Sequence, residues 1–123
     1  MANISKYDRW PTTLRYPTST RSLDATSQED QVFNAMATQF ASLQQNINIL
    51  MNDPNYKDFN AFSNHMLDEG SPGTEASLED VHNSIHTAVG GPMGHMSELD
   101  YSAFDPVFWL HHTYVTHAYR FQF

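Results

Sequence analysis

The feature that most constrains this chain is a pair of histidines, His82 and His86, four positions apart. Four residues on an α-helix bring two side chains back to nearly the same face, so these imidazoles can converge on one metal ion. A third imidazole, from a second predicted helix that carries His111 and His112, would give the ion three nitrogen ligands and an open position. Such an open position is typical of reactive metal sites rather than purely structural ones.

Spacing alone leaves two points open. Adjacent helical positions point roughly 100° apart, so at most one of His111 and His112 can face the ion, and the pair does not show which one. Taken alone, His82 and His86 are also typical of two half-buried polar residues on an amphipathic helix. A zinc hydrolase would use the same number of ligands, but the sequence offers no well-placed general base.

Boundary signals define the first of these two helices. Ser77 is a predicted N-cap, and Asp80 follows three residues later in the position of a capping-box partner. Gly90 and Gly91 then end the helix. We therefore expect a helix over 78–89.

Similar signals define the second helix. Asp105 is a favourable N-cap, and Pro106 is favourable at the first helical position. We expect this helix to cover 106–119. Phe108 and His112 then lie one turn apart on this helix.

Three strings around these histidines resemble the second copper-binding half of tyrosinases and catechol oxidases, the polyphenol oxidases. They read VHNSIH at 81–86, GGPMGHM at 90–96 and SAFDPVFWLHH at 102–112. The string TLRYPT at 13–18 also resembles the stretch that follows the first copper half in fungal members. The resemblance implies a mainly α-helical fold, in which the chain forms an incomplete part of a type 3 copper helical bundle. It covers most of the chain, so we expect 1–123 to be a single partial copper-binding domain.

Carried over residue by residue, the resemblance assigns His82, His86 and His112 as the ligands of the second copper, copper B. It places Phe108 as the aromatic residue packed against the site. The cofactor it implies is therefore copper at the copper-B site, with a second copper only where a complementary half is present.

The same resemblance places His111 and His95 next to the ligands, where they support the site without binding copper. In this family the residue after the first copper-B ligand, here Asn83, is linked to deprotonation of a monophenol together with a nearby glutamate. Glu75 and Glu79 are the candidates for that glutamate. The alternative interpretation of Asn83 is an ordinary solvent-facing helix residue.

The implied function is a copper-dependent oxidoreductase that oxidises phenols or o-diphenols to o-quinones with dioxygen. Type 3 chemistry uses two coppers, each held by three histidines, whereas His82 and His86 are the one helical pair among seven histidines. His65, His95 and His117 lie on separate predicted elements. We therefore expect the isolated chain to be inactive, and to need a complementary copper-A half or a homodimer. The alternative is a truncated or vestigial fragment that binds copper without turnover.

The resemblance ends after Val115. The family continues with an Asn-Val-Asp-Arg-like run whose Asp and Arg anchor the helix, whereas this chain reads THAYRFQF at 116–123. The docking of the second site helix is therefore undetermined by the resemblance, and His117 is interpreted as an accidental histidine. We expect a truncated gene product or a translated intron.

Three segments divide the chain. Residues 1–27, rich in Ser, Thr and Pro, are predicted to form an irregular arm. Residues 28–76 contain a packing helix and loops, and residues 77–123 form the copper-B helix pair.

The packing helix is predicted over 28–51, with Ser27 as its N-cap. Its apolar residues recur at alternating steps of three and four, and we expect this stripe to face the core rather than a partner protein: Phe33, Met36, Phe40, Leu43, Ile47 and Leu50. A short helix follows at 56–66, where His65 is interpreted as structural or exposed. The composition of residues 67–76 predicts a loop.

Composition restricts the remaining possibilities. The chain contains no cysteine, which excludes disulfides and thiolate metal sites and leaves histidine as the main soft donor. Its formal net charge of −8 disfavours nucleic acid and anionic membranes as partners. Residues 1–15 lack the apolar core of a signal peptide, and no apolar run reaches the ~20 residues of a membrane span. We therefore expect a cytoplasmic location.

Overall fold

A computed structural model describes residues 12–20, 22, 24–64 and 76–123. The described residues form helices and irregular segments and contain no strand, so the predicted mainly α-helical fold is confirmed. Three short 3₁₀ segments, Pro54–Lys57, His95–Ser97 and Ser102–Phe104, connect four α-helices: α1 at Glu29–Asn52, α2 at Phe59–Ser63, α3 at Leu78–Gly90 and α4 at Pro106–Gln122. Among the described residues, no helix has the length and apolar character needed to cross a membrane.

The predicted cap of α1 is wrong. Gln28 occupies the N-cap position, and its side chain makes no capping hydrogen bond. The Ser27 hydroxyl instead accepts a 3.0 Å hydrogen bond from the backbone N–H of Arg15. Ser27 is therefore occupied in a hydrogen bond within the arm.

The apolar stripe of α1 faces the core over only part of its length. Leu43 and Leu50 are buried, whereas Phe33 and Phe40 are 71% and 62% exposed. At 1.5 Å per residue, α1 is about 36 Å long and α3 about 20 Å, so α3 can cover only part of α1. The prediction that the whole stripe faces the core is therefore wrong for Phe33 and Phe40. The buried core cluster comprises Leu43, Leu50, Tyr56, Ala61, Phe62, Ala76 and Val81.

The predicted helix at 56–66 is replaced by two shorter ones. Asp53 caps the 3₁₀ segment by accepting from the N–H of Asn55, and Asp58 caps α2 by accepting from the N–H of Asn60, each at 2.9 Å. Each aspartate begins a new turn, because it satisfies backbone donors that a continuous helix would bond internally. The interpretation of His65 lies outside the described residues.

The end of α3 is fixed by a close contact with the arm. Gly91 has a φ of +67°, a conformation that a side chain makes unfavourable. Its N–H donates to the Thr87 carbonyl at 2.9 Å. A Cβ at Gly91 would lie 2.5 Å from the ring of Tyr16. Glycine therefore permits both the turn and the packing of the arm across it.

Candidate metal centre

Local capping fixes how α3 presents its two histidines. The Ser77 hydroxyl accepts from the N–H of Asp80 at 3.0 Å and donates to the Asp80 carboxylate at 2.6 Å, so the predicted cap is confirmed. From this start, His82 and His86 fall on one face, with ring centroids 4.5 Å apart. Both side chains are half-buried.

The start of α4 is held by a buried ion pair. Asp105 caps the helix by accepting from the N–H of Val107 at 2.9 Å, and Pro106 follows as the first helical residue, as predicted. The fully buried Asp105 carboxylate also accepts two 2.8 Å hydrogen bonds from the Arg15 guanidinium. Burial acts to raise the pKa of Asp105, but the hydrogen bonds from Arg15 and Val107 outweigh it and hold that pKa below its ordinary value.

Three imidazole nitrogens converge between α3 and α4. The Nε2 atoms of His82, His86 and His112 are separated by 3.1 Å between His82 and His86 and by 3.2 Å in the other two pairs. Three atoms at these separations lie on a circle of about 1.8 Å radius, slightly less than a metal–imidazole bond of about 2.0–2.1 Å. One ion can therefore bind all three nitrogens at once.

The electrostatics of the trio favour its neutral form. Burial, followed by the neighbouring charge of His86, lowers the pKa of His82. Burial, followed by the charges of His82 and His86, lowers the pKa of His112. A neutral imidazole keeps the lone pair that a metal ion requires, so these shifts favour binding of a cation over binding of protons.

Hydrogen bonds fix the tautomers of the two histidines on α3. His86 Nδ1 lies 2.6 Å from the Met96 carbonyl oxygen, which can only accept. His82 Nδ1 lies 3.0 Å from Oδ1 of Asn83. With Nδ1 donating in both rings, both Nε2 lone pairs point into the trio.

Phe108 forms one wall of the cluster. Its ring stacks on His112 with centroids 4.0 Å apart and an interplanar angle of 28°. It also packs edge-on against His86 at 5.8 Å. The ring thus limits the orientations of His112 and shields this side of the cluster from water.

His111 lies beside the trio in a second, overlapping arrangement. Its ring stacks on His82 with centroids 5.0 Å apart and 15° between the planes. Ring nitrogens of His82, His86 and His111 all lie within 4.8 Å of one another, so these three also form a geometric trio. However, His111 Nε2 lies 3.2 Å from the His82 carbonyl oxygen and is therefore its donor. Burial, followed by the charge of His82, lowers the pKa of His111 to about 4.

His95 contacts the arm. It is buried. Its backbone N–H donates to the Leu14 carbonyl at 2.8 Å, and its ring Nδ1 accepts from the backbone N–H of Leu14 at 3.4 Å. Its ring packs edge-on against Tyr101 at 5.2 Å. Burial lowers the pKa of His95, which keeps Nδ1 available as an acceptor. His117 lies further along α4, where its ring packs edge-on against Phe121 at 4.6 Å.

Sequence reasoning missed an apolar groove next to this cluster. The groove lies between α1, α3 and α4 and has a volume of about 640 Å³. Leu43, Val81 and Val107 line the groove. His111 lines it as well, so the groove borders the histidine cluster at this residue. Phe121 also lines the groove and is 70% exposed. The available signal was the recurrence of groove-lining residues on α4 at steps of three and four: Val107, His111, Tyr114, Ala118 and Phe121.

Known proteins are similar to this chain over most of its length. The sequence model described as the common central domain of tyrosinase matches residues 2–120. The chain is 46% identical to a tyrosinase from Neurospora crassa over 110 residues and 46% identical to one from Podospora anserina over 111 residues. Each alignment covers 89% of this chain.

A crystal structure of mushroom tyrosinase matches the fold with a TM-score of 0.65 and 35% sequence identity, covering 89% of this chain and 27% of that one. The chain spans 15% and 18% of the lengths of the Neurospora and Podospora proteins. The matched family is a family of copper proteins, and the close histidines provide nitrogen ligands suited to copper. The chain therefore belongs to the tyrosinase family, as part of its helical central domain.

Proposed function

We propose that this chain supplies the copper-B half of a copper-dependent oxidoreductase of the tyrosinase or catechol oxidase type. The reaction would oxidise phenols or o-diphenols to o-quinones. Phenolic compounds and dioxygen are the substrates of this family. The triangle of Nε2 atoms from His82, His86 and His112 carries the proposal, because three neutral imidazoles suit copper and leave a position open.

His112 is the proposed third ligand, although His111 forms an overlapping trio. Its Nε2 lies within 3.2 Å of both His82 Nε2 and His86 Nε2. The Nε2 of His111 is committed to the His82 carbonyl. In this proposal His111 supports His82 from behind and does not bind copper.

The remaining residues orient the ligands and exclude water. Copper, when bound, supplies the one-electron redox chemistry. Met96 holds the His86 ring through its carbonyl, and Phe108 stacks on His112. The contact between Asn83 and His82 Nδ1 supports a role for Asn83 in fixing the tautomer of this ligand. Its participation in monophenol deprotonation stays a prediction, and its candidate partner Glu75 lies outside the described residues.

Turnover in this proposal requires a complementary copper-A half. Within residues 12–20, 22, 24–64 and 76–123, the potential metal-binding groups form one cluster, around His82 and His86. The apolar groove beside that cluster offers a surface for such a half, since burying apolar surface favours association. A homodimer that pairs two copper-B halves across a two-fold axis is the other way to bring two coppers together.

A copper-binding fragment without turnover is the second candidate. The single histidine cluster among the described residues favours it. One copper cannot give dioxygen two electrons by a simple step between Cu(I) and Cu(II). The isolated chain is therefore expected to lack ordinary diphenol oxidation.

Copper stoichiometry measured beside activity tests these proposals. Elemental analysis of the purified 123-residue chain should give about one copper per chain, and a catechol oxidation assay should give little or no quinone. The oligomeric state is measured on the same sample by light scattering. Two coppers per monomer with sustained turnover would contradict the half-site proposal, and absence of copper binding would contradict both candidates.

A further inference from the structure

α4 contacts the rest of the molecule at its start, through its site histidines and at its far end. At its start, Asp105 pairs with Arg15. In the middle, the apolar groove separates α4 from α1, and the hydrogen bond from His111 to the His82 carbonyl spans to α3. The far end of α4, beyond the groove, is a further attachment that can affect how α4 lies against α3.

Gln122 holds this far end. Its Nε2 lies 3.3 Å from the Leu50 carbonyl oxygen and 3.2 Å from the Tyr56 carbonyl oxygen. A side-chain amide nitrogen carries two hydrogens, so it can donate one to each carbonyl. Leu50 lies in the last turn of α1, where backbone carbonyls lack partners within the helix. One side chain thus attaches the end of α4 to both the end of α1 and the following 3₁₀ segment.

Two pairs of aromatic rings reinforce the same attachment. Tyr119 packs edge-on against Phe59 with centroids 5.9 Å apart and an angle of 89°. Phe123 packs edge-on against the fully buried Phe62 at 5.5 Å and 81°. Edge-to-face contacts of this kind stabilise beyond the apolar area that they bury. The last turn of α4 therefore reaches the core, while its middle borders the groove.

Tyr56 links this attachment to α3. It is 1% exposed, and its hydroxyl accepts a 2.9 Å hydrogen bond from the N–H of Ala76. Ala76 directly precedes Ser77, the N-cap of α3. Tyr56 thus contacts the end of α4 through its carbonyl and the start of α3 through its hydroxyl.

We infer that Gln122 and Tyr56 form an anchor that sets the position of α4 relative to α3, and thereby the distance of His112 Nε2 from its two partners. Both are positioning residues, and the inference rests on the proposed copper site. Gln122 lies in the segment 116–123, where the chain departs from the Asp–Arg run expected from the family. The anchor therefore provides the docking that the sequence resemblance left undetermined.

The test uses Gln122→Glu in the full 123-residue chain. Glutamate has nearly the same shape as glutamine, but it removes both N–H donors and places carboxylate oxygens against two carbonyls. Tyr56→Phe removes only the hydroxyl. Gln44→Glu is the matched control, because Gln44 is exposed on α1 and undergoes the same charge change. The measurements are the dissociation constant of Cu(II) by chelator competition, the number of coordinated nitrogens by electron paramagnetic resonance, and the helix content by circular dichroism.

Gln122→Glu should weaken Cu(II) binding by about tenfold or more, the usual effect of losing a group that orients a ligand. Its electron paramagnetic resonance spectrum should show fewer than three coordinated nitrogens, while helix content is retained. Tyr56→Phe should also weaken Cu(II) binding. The Cu(II) dissociation constant of Gln44→Glu should match that of the unsubstituted chain.

Three-nitrogen binding that is unchanged in Gln122→Glu would overturn the inference and leave the proposed copper site intact. Affinity that falls only in step with lost helix content would also overturn it, because the anchor would then act on stability alone. If Gln122→Glu does not fold, Gln122→Met removes both donors without adding a charge, and the same criteria apply to it. Failure of the unsubstituted chain to bind Cu(II) would instead contradict the proposed function.

Discussion

Replacement of Asp105 by alanine should destabilise the start of α4 strongly. The substitution removes both 2.8 Å hydrogen bonds from Arg15 and the 2.9 Å hydrogen bond from the N–H of Val107. Breaking a fully buried ion pair costs about 3–5 kcal/mol, and losing an N-cap about 1 kcal/mol. Arg15 is 34% exposed and can regain water, which reduces the first contribution. We expect a total loss of about 3 kcal/mol.

The loss converts into a measurable change in melting temperature. An unfolding entropy of about 2.1 cal/mol/K per residue gives about 0.26 kcal/mol/K for 123 residues, so about 3 kcal/mol lowers Tm by about 12 °C. Thermal unfolding followed by circular dichroism measures this shift. The Tm of Asp105→Asn, which retains one acceptor oxygen, should lie between those of the unsubstituted chain and Asp105→Ala. Asp24→Ala is the control, because Asp24 is exposed.

A decrease of less than about 4 °C in Asp105→Ala would refute this reasoning, since it corresponds to about 1 kcal/mol, the contribution of the cap alone. The ion pair would then add nothing to stability. A decrease of similar size in Asp24→Ala would also refute it, because the effect would not depend on burial.

Further predictions concern copper and pH. His82→Ala, His86→Ala and His112→Ala should each abolish copper binding in equilibrium dialysis, whereas His111→Ala should weaken it by about 10 to 100-fold; normal binding by His112→Ala with complete loss in His111→Ala would reverse the assignment. The metal-free chain should lose stability as pH falls from 6.5 towards about 4, because the unfolded chain binds a proton at His111 before the folded chain does. Denaturant unfolding at several pH values should give a slope on the order of 1 kcal/mol per pH unit, reduced in His111→Gln, and an unchanged slope in that variant would contradict this origin.

Local signals in the sequence predicted the site helices well. Ser77 and Asp105 cap α3 and α4 as expected, because a cap depends on donors within three residues of itself. The predicted helices over 28–51, 78–89 and 106–119 agree with the structure to within three residues at every end.

Contacts between distant residues were beyond this kind of reasoning. Arg15 and Asp105 are 90 positions apart, and nothing in the local pattern of either residue identifies the other as its partner. Periodicity identified the apolar face of α1, but it could not show that neighbouring elements leave Phe33 and Phe40 exposed. Gln122 lies where the family resemblance ends, so neither pattern nor resemblance indicated its two carbonyl partners.

His111 lies between the apolar groove and the proposed copper ligands. Its ring lines the apolar groove, and its Nε2 donates to the carbonyl of His82. A helix or side chain that fills the groove would pack against His111 and deepen its burial, which favours the neutral ring that serves as donor. The hydrogen bond to His82 would then be retained at lower pH than in the chain alone. We therefore predict that occupation of the groove stabilises the hydrogen bond between His111 and His82.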